Sequence, residues 1–152
     1  FNRYCNLFHL EYRDVAEASF SVQLSRNHPL LRETPFDFAK LKNYPYVAYT
    51  DGNGGNLNWT PWSSVVNPDK LIRVQSIASR ISLVASTNAF SLVFPHSRAY
   101  NEANGVVTVP LPFDPLILGY IYSRDRGLGE TGEAYVRHLK ERIREHFGEE
   151  SP

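Results

Sequence analysis

The sequence predicts an α/β fold, and three observations carry that reading. Strand-like and helix-like segments alternate between residues 46 and 111, residues 90–94 are apolar at every position but Ser91, and an amphipathic helix pattern fills the C-terminal end. Such alternation predicts parallel strands joined by right-handed crossovers, and a strand apolar on both of its faces suits a sheet covered on both faces. At 152 residues, the chain can form one domain with its own core, or two small lobes sharing a hinge.

Period-two alternation and enrichment in β-branched and aromatic residues mark strands at 19–24, 46–50, 71–75, 90–94, 106–111 and 116–123. Between the middle four lie gaps of helical length. Ile77, Ile81 and Val84 share one face of a helix expected over 77–86, with Ser76 placed to cap it. Shorter helices are expected near 61–66 and 97–103. The terminal helix is expected over 133–147, where Val136, Leu139, Ile143 and Phe147 recur at helical spacing, Thr131 stands at the start and Gly148 at the end. Acidic residues early and basic residues late in this segment also suit the helix dipole. The segments at 19–24 and 116–123 flank the alternating unit and read as crossing strands that tie it to a second lobe. This divides the chain into 1–24 with 115–152, a remnant of a first lobe, and 25–114, a complete second lobe.

Sixteen Lys and Arg balance sixteen Asp and Glu, and no basic block supplies the footprint that phosphate backbones demand. The segment alone is therefore not expected to grip DNA. A lone cysteine, Cys5, forms no intrachain disulfide, and the five histidines have no structural zinc spacing. No apolar run approaches the length of a membrane span, and no export leader is read. The expectation is a soluble, cytoplasmic protein without membrane association. Phe1 stands where an initiator methionine would, and we expect the chain to be part of a longer protein.

Nucleophilic catalysis needs an activated serine or cysteine with a base, yet the chain has no G-x-S-x-G elbow and Cys5 is read as lying in an irregular N-terminal segment. No catalytic residue, metal ligand or cofactor is assigned. The loop Asp51-Gly52-Asn53-Gly54-Gly55-Asn56 lacks the lysine of a phosphate loop and the closing glutamate of a calcium loop. It is either a plain flexible turn or, because it leaves the C-terminal end of a predicted parallel strand, part of a ligand rim. Gln75-Ser76 repeats the choice: a helix cap, or free N–H groups and a hydroxyl offered to a carboxylate-like group. Phe94, at a third strand end, is either core or ligand wall.

Read together, these segments resemble the substrate-binding domain of LysR-type transcription regulators. Asn27-His28-Pro29-Leu30-Leu31 is similar to the family's "D-H-P-L-A". The run from Phe38 to Val47 resembles its helix-then-strand segment. Val74-Gln75-Ser76-Ile77, Leu83-Val84-Ala85 and Phe90-Ser91-Leu92-Val93-Phe94-Pro95 resemble "V-x-s … lVaaGlGiallP", with Thr87-Asn88-Ala89 where a glycine-x-glycine turn is customary. Without those glycines, Asn88 is the residue expected to take any left-handed conformation.

The resemblance implies a two-lobed fold like that of type 2 periplasmic binding proteins, with a largely parallel, doubly wound sheet in the complete lobe and an incomplete first lobe. It implies a small-molecule effector held in the cleft between lobes by Thr50, Asp51, Gly52, Asn53, Gln75, Ser76 and Phe94, with further contacts in the missing part of the first lobe. Asp51 weighs against a strongly anionic effector unless it points away, and the charge stays open. Segments near 21–24 and 112–118 are the implied hinge. A homodimer or tetramer is implied, with the 77–86 helix as a candidate contact, and DNA binding only through a separate N-terminal winged helix. Two other classes share the scaffold: a periplasmic-type solute-binding protein, and an enzyme.

Overall fold

The computed structural model describes residues 2–50, 65–94 and 96–147. The chain forms two compact units, one of Phe1–Ala18 with Pro115–Pro152 and one of Ser19–Asp114.

The second unit is built on a five-stranded sheet. Its strands are β2 (Ser21–Ser25), β3 (Tyr46–Tyr49), β4 (Leu71–Val74), β5 (Phe90–Val93) and β6 (Val106–Pro110), in the spatial order β4-β3-β5-β2-β6. Strands β4, β3 and β5 run parallel, and β2 pairs antiparallel with both β5 and β6. The sheet is thus mixed, with one reversed strand in an otherwise co-directional set. Residues 19–24, read from sequence as a crossing strand of the other lobe, instead supply β2 inside this sheet. The physical reason lies in burial: every residue of β2 is buried, which suits a strand with a neighbour on each edge and cover on both faces.

Helix α2 (Ile77–Ser86) spans the expected residues, and α3 (Arg98–Asn104) lies one residue along from its expected place. Ser76 caps α2 and Ser97 caps α3, each accepting from a backbone N–H three residues on. Helix α3 stops at Gly105, whose φ of 70° closes the last turn in the left-handed region that glycine adopts without strain. Val84 of α2 packs with Val47, Ala89 and Val106 in the core, and Val74, Leu83 and Ala85 pack against that cluster.

The turn between α2 and β5 departs from expectation. Among the described residues only His9 takes a positive φ outside glycine, so Asn88 is not left-handed. Instead the Thr87 hydroxyl donates to Leu83 O at 2.6 Å and accepts from Ala89 N at 3.0 Å, closing the turn by side-chain bonding. Asn88 O faces the fully buried His28, whose Nε2 lies 3.0 Å away while its Nδ1 accepts from Leu30 N at 3.2 Å. An accepting Nδ1 places the proton on Nε2, and burial holds this imidazole below its ordinary pKa.

The first unit contains α1 (Asn2–Leu7), β1 (Leu10–Ala18), β7 (Leu116–Ser123) and α4 (Gly129–Phe147). Strands β1 and β7 form an antiparallel ribbon from Leu10↔Ser123 to Ala18↔Leu116, with one irregularity between Asp14 and Ala16. Tyr12 lies over Gly119, where a Cβ would meet its ring. Cys5, read from sequence as part of an irregular segment, is buried within α1. Helix α4 begins at Gly129 and not at 133, so Thr131 lies inside it. Its apolar stripe stands as expected, with Val136 buried and Leu139 and Ile143 half-buried. The helix 61–66 lies largely outside the described residues.

Candidate functional site

Parallel strands with crossover helices end on one side of a sheet, and their loops gather there. In the second unit the register Tyr49↔Val74 sets the C-terminal ends of β3 and β4 side by side, and Tyr46↔Phe90 aligns β5 with them. Thr50, Gln75 and Phe94, the first residues beyond these strands, therefore come together on one rim. Thr50 N extends the ladder to Val74 O at 2.9 Å. Gln75 and Ser76 are exposed, while Thr50 and Phe94 are half-buried. Asp51, Gly52 and Asn53 lie outside the described residues.

The Ser76 hydroxyl accepts from Ser79 N at 3.4 Å, a long bond that leaves lone-pair capacity and directs the oxygen over the start of α2. The cap and the exposed acceptor site are thus the same atom. Helix α2 presents its unpaired N–H groups at this point, where a negative or partly negative group is favoured.

The reversed strand β2 adds something the sequence reading missed. Because Ser21 pairs with Val93 on one side and with Pro110 on the other, Phe20 is brought beside the end of β5. The Phe20 and Phe94 rings lie 4.4 Å apart at 48°, and Leu111 N donates to Phe20 O at 2.9 Å. No local signal marks Phe20 as a site residue, since its place depends on an antiparallel insertion. The described rim runs from hydroxyl and amide groups at β3 and β4 to an aromatic pair at β5 and β2. Thr50, Gln75, Ser76, Phe20 and Phe94 carry no charge, so the groups described offer hydrogen bonds and apolar contact.

No group of three or more His, Cys, Asp or Glu side chains suited to a metal ion occurs among the described residues. No helix among them is long and apolar enough to cross a membrane.

Comparison with known proteins adds an independent line. No sequence among the curated proteins matches this chain. Solved structures do match. The regulatory domain of MetR, a LysR-family regulator from N. meningitidis, superposes with a TM-score of 0.66 at 14% identity, over 89% of this chain and 65% of that one. HinK, a LysR-family transcriptional regulator from Pseudomonas aeruginosa, gives 0.66 at 15% identity, over 89% of this chain and 48% of that one. The effector-binding domain of a BenM variant gives 0.62 at 18% identity, over 90% and 65%. The chain spans less than two-thirds of each of these proteins, and at such identities the likeness establishes the α/β fold of these regulatory domains. A sequence model of the LysR substrate binding domain matches residues 3–144, so the chain belongs to the LysR substrate-binding domain family.

Proposed function

We propose that this chain is the effector-sensing part of a LysR-type transcription regulator, and that it binds a small metabolite without transforming it. The observation that carries the reading is the convergence of three parallel strand ends, at Thr50, Gln75 and Phe94, in a chain of this family. The proposed effector contacts are Thr50, Asp51, Gly52, Asn53, Gln75, Ser76 and Phe94, with Phe20 added by its ring contact. The second unit is the proposed effector-binding lobe, and the first unit the proposed remainder of its companion. DNA binding is assigned to a separate winged-helix domain of the same protein, and the proposed site of action is the cytoplasm.

A ligand alters such a regulator only through its different affinity for two arrangements of the protein. Self-association is the proposed route. On α2, Ile77 is 53% exposed and borders a groove that Ile81, Ala85, Tyr100 and Ala103 also line, an apolar surface suited to a homodimer or tetramer contact.

Titration calorimetry of a panel of small polar and carboxylate metabolites tests the proposal. Thr50→Val and Gln75→Leu should each weaken the binding metabolite by about tenfold, the worth of one lost hydrogen bond. Turnover of the metabolite, or binding indifferent to both substitutions, would overturn the assignment.

A further inference from the structure

Strand β2 carries polar side chains where a central strand ordinarily carries apolar ones. Ser21, Gln23 and Ser25 alternate along one face and are all buried, Gln23 completely. This is the face that the helices cover: the Ser25 hydroxyl donates to Ala85 O of α2 at 3.0 Å, and Asn101 Nδ2 of α3 donates to Thr108 Oγ1 at 3.1 Å. Gln23 stands between Ser91 on β5 and Thr108 on β6 in the register. Side chains paired in this way share a face and touch.

These neighbours are already engaged. The Ser91 hydroxyl donates to Val47 O at 2.8 Å, and Thr108 receives Asn101. Gln23 Oε1, Gln23 Nε2 and Asn101 Oδ1 are buried and have no hydrogen-bond partner among the described residues. Reassigning the amides does not help. Turning Gln23 over exchanges one unpartnered atom for another, and turning Asn101 over only reverses its bond to Thr108, whose hydroxyl would then donate, while it gives up the 3.5 Å contact to His96 O and leaves a donor unpartnered in place of an acceptor. Two amides thus bracket one hydroxyl with a donor and two acceptors left over. Buried polar groups in native proteins are almost always paired, by protein or by ordered water, and an interior water typically makes about three bonds.

We propose that the layer between β2 and α3 holds an ordered water, which accepts from Gln23 Nε2 and donates to Gln23 Oε1 and Asn101 Oδ1, beside Thr108. Its ligands lie on the interior strand β2 and on α3, so the water joins two elements that have no direct side-chain bond through Gln23. The proposal is independent of what the strand-end rim binds.

The composition makes the test clean. The chain has only two glutamines, Gln23 and Gln75, so [15N]glutamine labelling of the whole chain yields two side-chain amide pairs. Gln75 is exposed and serves as the internal reference for simple exchange with bulk water. Gln23 should show NOE and ROE cross-peaks to water of opposite sign, the signature of a long-lived bound water, whereas Gln75 should show exchange peaks of equal sign. In Asn101→Leu the Gln23 water peak should fall or vanish. A Gln23 amide without a long-lived water contact in the wild type overturns the proposal, as does a contact that Asn101→Leu leaves unchanged. The wild-type spectrum alone decides whether the water exists, so a variant that fails to fold does not rescue the idea.

Discussion

The five-stranded sheet of Ser19–Asp114 and the two-stranded ribbon of the other unit show what the number of neighbours does to a strand. All five residues of β2 are buried, and Val22, Leu24 and Phe90 are fully enclosed. Strand β7 instead alternates half-buried and exposed positions over most of its length, leaving Ile117 57% and Ile121 49% exposed. A two-stranded ribbon is marginal in water by itself and relies on other elements to cover it, here in part α4, which contacts β1. The polar groups follow the same division. Inside the sheet a polar side chain must find a partner, as Ser91 does at Val47 O, because desolvation without one is costly. On the ribbon, Glu11 and Arg13 pair at the surface, where such pairs contribute little.

The largest expected contrast comes from Phe90→Ala. A fully buried aromatic at the centre of the sheet should cost about 3–5 kcal/mol when truncated, seen as a large drop in the urea midpoint. His28→Gln should come next, at roughly 2–3 kcal/mol for disturbed packing and two lost hydrogen bonds. It should also remove a pH dependence. The folded-state imidazole titrates below its ordinary value of 6.5, so between the two values the unfolded chain binds more protons. The wild-type stability due to this group is complete above 6.5 and falls as pH drops through the folded pKa. A wild type and variant with parallel stability profiles below 6.5 would refute that role.

Ser76→Ala should cost about 1 kcal/mol as the loss of a helix cap, detectable as faster amide exchange in the first turn of α2. If Ser76 also contacts effector, the same substitution weakens ligand binding by more than the cap loss explains. Ile121→Ser on the ribbon should change stability by within about 0.5 kcal/mol, as exposed positions usually do. A cost as large as that of Phe90→Ala would show that this face is covered in the intact protein.

How much of this was legible in the sequence depended on whether a signal was local. The 77–86 helix and the 116–123 strand stand where periodicity placed them, because amphipathic spacing and caps are read within a few residues. The helix preceding 133 was missed because Gly129 and Gly132 disguise its first turn. Strand β1 was missed altogether: Glu11, Arg13, Asp14 and Glu17 interrupt its β pattern, and it exists through pairing with β7, about a hundred residues away in the chain. Of the candidate site, the strand ends at Thr50, Gln75 and Phe94 followed from the alternation of elements, whereas Phe20 did not.

The sequence by itself determined the α/β class, the family and the set of strand-end groups, since these rest on local periodicity and short motifs. Only the tertiary structure decided that residues 21–25 form a reversed interior strand, which sets Phe20 against Phe94 and buries Gln23 beside Thr108. Strand order and direction are settled by which partners bury the most apolar surface while pairing every backbone group, and that choice is made among segments far apart in the chain.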